Sequence, residues 1–443
     1  MKIQLSDHFN YGRLLRFTLP SIVMMIFTSI YGVVDGIFVS NFAGKTAFAA
    51  INLIMPYLMV FGALGFMIGT GGTALVAKTL GMGDKKKASE IFSMLIYVCL
   101  IGGAVLTVVS IGFLRPAAMA LGAEGQMLRD CVTYGTIVQL AMMAYLLQFA
   151  FQSFCVAAEK PNLALVMTVV SGLCNIALDA LFVGLFRWGL IGAAVATATA
   201  QFIGALIPLI YFIRPNKSLL RLGKCRFDGK ALLHTCTNGS SELMTNVSMN
   251  IVCILYNLQL MAKAGEDGVA AYGVIMYVNF IFLSVFIGFS IGSAPLIGFN
   301  HGADNRPELK SLLRKSLVIL GVFAAAMTGS AMALSRPLSA VFVGYDPALM
   351  EMTARGFMIY SLSFLVCGFN IFGSSLFTAL NNGLISAAIS FVRTLVCQVA
   401  AVLILPIFFG LDGIWFSILV AETAALMLTA FCFFKFRGRY HYA

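Results

Sequence analysis

The chain has 443 residues, 60% of them hydrophobic and only 11% charged, with a formal net charge of +11, whereas an ordinary globular protein carries about 25% charged residues. A soluble fold needs a polar surface that this composition does not supply, and the mean hydropathy is +0.94. A soluble enzyme, a nucleic-acid-binding domain and a disordered chain are excluded, and the protein belongs in a membrane.

A membrane helix needs roughly 20 mostly apolar residues. Twelve such runs occur, at 14–40, 50–77, 91–114, 130–156, 162–186, 189–213, 231–262, 270–299, 316–335, 350–380, 384–409 and 411–434. The joints between them are short and carry Gly, Pro, Asn or charge, as in GMGDKKK at 81–87, EKPN at 159–162 and HGADNRPE at 301–308. The runs are too long and too uniformly apolar for the alternating strands of about 10 residues in an outer-membrane barrel. The expected fold is all-α, with both chain ends on one side of the membrane. The first run is read as a retained span, not as a cleaved signal.

Lys and Arg set orientation. With the N-terminus inside, the inner segments carry 21 of them and the outer segments 7, with Arg393 left inside a span. Both termini are therefore expected in the cytoplasm, in a cell membrane. The positive charge is read as orientation and not as nucleic-acid binding. The ten cysteines and His8, His234, His301 and His441 are too scattered for a metal site, and the cysteines read as small apolar residues.

The chain also repeats itself. GLIGAAVATATAQ begins at Gly189 and GLDGIWFSILVAE at Gly410, an offset of 221. GFMIG at Gly65 matches GFSIG at Gly288 with an offset of 223, LGAE at Leu121 faces VGYD at Val343, and AFAAINLIM at Ala47 faces GVAAYGVIM at Gly268. Six spans per half is an even number, so the halves run parallel and are related by an axis along the membrane normal. The expected units are an N-lobe at 1–213, a linker at 214–230 and a C-lobe at 231–443, with a substrate cavity between the lobes.

An ionisable group within a span costs roughly 2.5–3.5 kcal/mol on insertion scales and marks function by default. Asp35 lies five residues before Ser40 near the outer end of span 1, Asp179 seven before Phe186 in span 5, and Thr197 eight after Gly189 in span 6. At about 1.5 Å per residue these stand at one depth. Asn175 precedes Asp179 by four residues and shares its helix face. Two carboxyls, an amide and a hydroxyl form a hard-oxygen set that suits H⁺ or Na⁺, and its plain alternative is a structural polar network. Tyr31 is one turn from Asp35, and Pro20 lies fifteen residues before it at an expected kink. In the second half, Glu242 reads as a helix-start carboxylate facing backbone N–H groups. Glu422 and Arg393 are expected to pair, and Asn257 is a further polar group in span 7.

VDGIFVSNFAG at 34–44, GFMIGTGGTALVAKTLGMGDKKKA at 65–88, NIALDALFV at 175–183, GLIGAAVATATAQ at 189–201 and GFSIGSAPLIGFNHGADN at 288–305 together resemble the multidrug and toxic compound extrusion (MATE) family, and within it the MepA-like group. The resemblance covers nearly the whole chain. It implies twelve helices in two six-helix lobes, alternating access, and export of cationic, lipophilic compounds against inflow of H⁺ or Na⁺. It also implies an N-lobe cation site on Asp35, Asn175, Asp179 and Thr197, which would be the metal ligands if Na⁺ couples, and a bending first helix at Pro20. Some sodium-coupled relatives carry an acid within helix 7, where this chain reads TNVSMNIVCILYN. The expected protein is not an enzyme. It is expected to be a monomer without cofactor that meets cationic drugs and membrane lipids, and no nucleic acid. The competing reading is a flippase for lipid-linked oligosaccharides. Its anionic cargo calls for several Arg and Lys in the spans, and only Arg393 is there.

Overall fold

The structure is a computed structural model that describes residues 3–42 and 45–442, without the side chains at 37, 39–42, 45 and 48. Among these residues there is no strand. The helices are α1 Tyr11–Phe42, α2 Lys45–Gly81, α3 Lys85–Ala120, α4 at 125–157, α5 Pro161–Leu185, α6 Gly189–Ile213, α7 at 229–264, α8 at 266–302, α9 Arg306–Val343, α10 at 347–379, α11 at 383–409 and α12 at 411–440. Two of them are broken spans: α4 bends by 57° at Ala141 and α10 by 49° at Leu362 and Ser363. Twelve crossings result, and the chain ends lie on one face, called here the terminal face.

Two of the reversals are made by single glycines. Gly265 (φ 64°, ψ −151°) separates α7 from α8, and Gly410 (φ 59°, ψ −133°) separates α11 from α12. The chain folds back sharply at each. The rings of Tyr256 and Tyr272 stack 4.9 Å apart, whereas sixteen residues of straight helix span about 24 Å. Gly189, which opens α6, also has positive φ (56°) and lies at the repeat offset of 221 from Gly410. A residue with a Cβ is strained in this backbone region. Polar caps mark other starts: Asp84 accepts from Lys87 N at 2.9 Å, Asn305 from Glu308 N at 3.3 Å, and Asp228 from Lys230 N and Ala231 N at 3.0 and 3.1 Å.

The halves meet through backbones, in pairs related by the same offset. A Cβ on Gly71 would lie 2.6 Å from the Gly239 nitrogen, and one on Gly292 would lie 2.9 Å from Thr18 Cα. A Cβ on Gly81 would lie 2.0 Å from the Phe299 oxygen, and one on Gly302 would lie 2.0 Å from the Lys78 oxygen. The contact register is thus 221 throughout, two residues short of the 223 offset of the GFMIG and GFSIG motifs. Small residues at the seam let helices approach where lipid gives no hydrophobic drive for association. These contacts pair α2 with α7, α1 with α8 and, at their terminal-face ends, α2 with α8. Farther along, the Ser29 hydroxyl donates to the Phe280 carbonyl at 3.2 Å.

Candidate cation site

α5 is α-helical from Pro161 to Asp179 and then widens into a π-turn at Ala180–Leu185. Such turns leave backbone carbonyls out of the regular ladder and recur at functional sites. Asp179 is fully buried and Asn175, one turn before it, is 3% exposed. Asp35, on α1, comes within reach of a proton shared with Asp179. No hydrogen bond is made there: Asp35 Oδ1, both Asp179 carboxyl oxygens, Asn175 Nδ2 and Thr197 Oγ1 are buried without a hydrogen-bond partner among the described residues. Buried polar atoms are nearly always satisfied, so this group of orphans, which holds two facing carboxyls, is the candidate site.

Two tyrosines that the sequence did not single out complete the wall. Tyr134 of α4 is buried and faces Thr197 and both carboxyls. Tyr31 stands beside Asp35, and Tyr145 of α4 stands beside Tyr31. α1 can lie this close to α5 because of Gly172, whose Cβ would meet the Tyr31 and Phe27 rings at 3.1 and 2.6 Å. The structure therefore brings Asp35, Asp179 and Thr197 together, with Asn175 on the same face of α5 and Tyr31 alongside. Pro20 is not part of the cluster. It sits fifteen residues away, at the seam where Thr18 and Ile22 meet α8, and α1 runs through it as one helix.

A family model described as MatE matches residues 20–181 and again 242–404. This chain belongs to the MatE family. The two matches, one in each half, are offset by 222, as an internal duplication requires. The multidrug export protein MepA of Staphylococcus haemolyticus is 26% identical over 97% of this chain and 94% of its own length, and that of Staphylococcus aureus is 24% identical over the same shares. The solved outward-facing conformation of a multidrug resistance MATE family transporter has the same fold, with a TM-score of 0.92 at 20% identity, over 98% of this chain and 96% of that one. The protein is a multi-pass membrane transporter.

The second half of this MATE chain does not repeat the cluster. At the offset of 221, Asp35 corresponds to Tyr256 and Asp179 to Ala400. Its charges are elsewhere. Arg393, in a second π-turn at Val392–Cys397, pairs with Glu422 of α12 through Nη2 at 2.8 Å and Nε at 2.9 Å. Asn370 of α10 donates to the same carboxylate at 2.8 Å and accepts from Thr429 at 2.9 Å. The corresponding first-half positions are Gly172 and Gln201, so this network also has no counterpart. It is internally satisfied, unlike the Asp35–Asp179 cluster.

Glu242 departs from its expected role. α7 is capped by Asp228 and begins at Gly229, so Glu242 lies more than three turns inside the helix, beyond the free N–H groups of the first turn. Its carboxyl lies within electrostatic reach of Arg393, without a hydrogen bond among the described residues. Asn246 and Asn250 follow it along α7, each donating to the carbonyl four residues back. Asn257 lies farther out, contacts Cys253 Sγ at 3.8 Å, and does not join Arg393 and Glu422.

Proposed function

We propose that this MATE transporter is a secondary multidrug antiporter. It exports cationic, lipophilic compounds in exchange for H⁺ or Na⁺, by alternating access between lobes at 1–213 and 231–443 joined by 214–230. The observation that carries the coupling is the pair of facing, buried carboxyls of Asp35 and Asp179, of which Asp35 Oδ1 and both Asp179 oxygens accept no hydrogen bond among the described residues. Two carboxylates in one apolar pocket are stable only with a proton or cation shared between them. Asn175 and Thr197 offer Na⁺ two further oxygen ligands, and Tyr134 and Tyr31 narrow the pocket. The bias of 21 inner to 7 outer Lys and Arg supports cytoplasmic termini in a cell membrane.

A cationic substrate and the driving ion both favour the ionised cluster, so each displaces the other. A ligand shifts a conformational equilibrium only by its difference in affinity for the two states. The tight seam near the terminal face, together with the match to an outward-facing relative, supports reading this structure as the state closed to the cytoplasm. The chain is taken as a monomer acting on small cations within lipid, without enzymatic activity or cofactor. Reconstitution into vesicles tests the reading. Ethidium should move up its gradient when an opposing pH or Na⁺ gradient is imposed, and transport indifferent to both gradients rejects antiport.

A further inference from the structure

We infer that the groove between the terminal-face ends of α5 and α6 is a binding site for the headgroup of an anionic phospholipid. The groove has a volume of about 630 Å³ and is lined at its mouth by Lys160, Arg214 and Lys217 and along its wall by Leu163, Ile207 and Ile210. No acidic residue lines it. Lys160 and Arg214 enter none of the ion pairs among the described residues.

The division of the lining into two zones identifies the ligand. Leu206, Ile210 and Ile213 form one outward stripe of α6 and are 45%, 45% and 58% exposed, the surface that acyl chains cover in a membrane. The stripe ends where the cations begin, at the depth of a phosphate group. Juxtamembrane clusters of Lys and Arg recognise anionic headgroups in this way, and the segment 214–230 carries six of them.

The mouth is a built structure. The Asn216 side chain donates to the carbonyls of Tyr211 and Arg214 at 3.1 Å each, and its oxygen accepts from the Ser218 N–H at 2.9 Å and the Ser218 hydroxyl at 2.5 Å. Leu222 N donates to the Phe212 carbonyl at 3.0 Å, and Leu220 is fully buried. The chain after α6 is thereby folded back onto the helix end, which fixes Arg214 and Lys217 over the groove opposite Lys160. The site also ties together the ends of the two helices that carry Asp179 and Thr197.

The test uses the full-length protein in phosphatidylcholine nanodiscs titrated with phosphatidylglycerol, with retained lipid counted by native mass spectrometry. It measures binding without transport, so it stands or falls separately from the antiport reading. The unaltered protein should retain phosphatidylglycerol in preference to phosphatidylcholine. The variant Lys160→Gln/Arg214→Gln/Lys217→Gln should bind it at least tenfold more weakly, given about 1 kcal/mol per cation at an anionic surface. The control Lys85→Gln/Lys86→Gln/Lys87→Gln removes equal charge from the same face and should change binding less than twofold. If the triple variant does not fold, Arg214→Gln alone should still weaken binding several-fold. No lipid preference, an equal loss in the control, or displacement of the lipid by inorganic phosphate at matched concentration would each overturn the site.

Discussion

Two buried clusters of charged side chains behave oppositely, and the difference lies in their hydrogen bonds. Glu422 is surrounded by donors from Arg393 and Asn370, so removing one partner strands the other. Glu422→Gln leaves the Arg393 guanidinium buried without a counter-charge and should cost about 3 kcal/mol or more, seen as a lower melting temperature in detergent. Replacing both, as Arg393→Met with Glu422→Leu, should restore most of that loss, and a double variant less stable than the single would refute the pairing argument. Asp35 Oδ1 and both Asp179 oxygens accept no hydrogen bond among the described residues, so a carboxyl is not held by a partner that its removal would strand. Asp35→Asn and Asp179→Asn should each leave the melting temperature unchanged or raised while lowering coupled export by at least tenfold. Export at the unaltered rate by either variant would return the cluster to a merely structural role.

At the scale of elements, backbone reversals carry the architecture. Gly410 adopts φ 59° and ψ −133° with open space where a Cβ would stand, so Gly410→Ala meets no clash and tests strain alone. A destabilisation of about 1–3 kcal/mol is expected, against none for Gly329→Ala, which lies in open space inside α9. Equal melting temperatures for the two would remove the turn argument. These reversals were legible in the sequence because glycine punctuates apolar runs, and the twelve spans and their pairing in halves followed. The depth count that placed Asp35, Asp179 and Thr197 together worked for the same reason, since helical rise converts residue number directly into height. The bends at Ala141 and at Leu362 and Ser363 were not legible, because neither carries proline or glycine to announce it. The π-turns after Asp179 and around Arg393 depend on tertiary packing and leave no composition signal. Tyr134 and Tyr145 were missed because a phenol in an apolar span reads as core until its neighbours are known. Glu242 reads as a helix start because the polar NGSSE run precedes apolar sequence, whereas Asp228 already caps α7 fourteen residues earlier.

For the whole molecule, the duplication gives two bundles of like fold but unlike chemistry: the orphaned carboxyls lie in the first and a closed ion-pair network in the second. If the terminal face is cytoplasmic, a reporter fused to the C-terminus should be active only inside the cell. An asymmetric pair also bears on the ion stoichiometry, because two facing carboxyls without hydrogen-bond partners lie in the first bundle, whereas Glu242 of the second is a single carboxyl near Arg393. One elementary charge crossing 100 mV gains about 2.3 kcal/mol, and one pH unit contributes about 1.4 kcal/mol per proton. If one ion enters for each monovalent cation expelled, the charges cancel and voltage contributes nothing. If Asp35 and Asp179 each carry one ion inward, a net charge moves and voltage adds to the gradient. Two carboxyls give the pocket the capacity for the second cycle, one ion for each. Export of a monovalent substrate by the purified protein, measured at fixed ion gradients with the voltage clamped at different values, should therefore accelerate as the interior is made more negative. A rate that does not change with voltage would show that only one of the two acids carries the coupling ion and that the other is its structural partner.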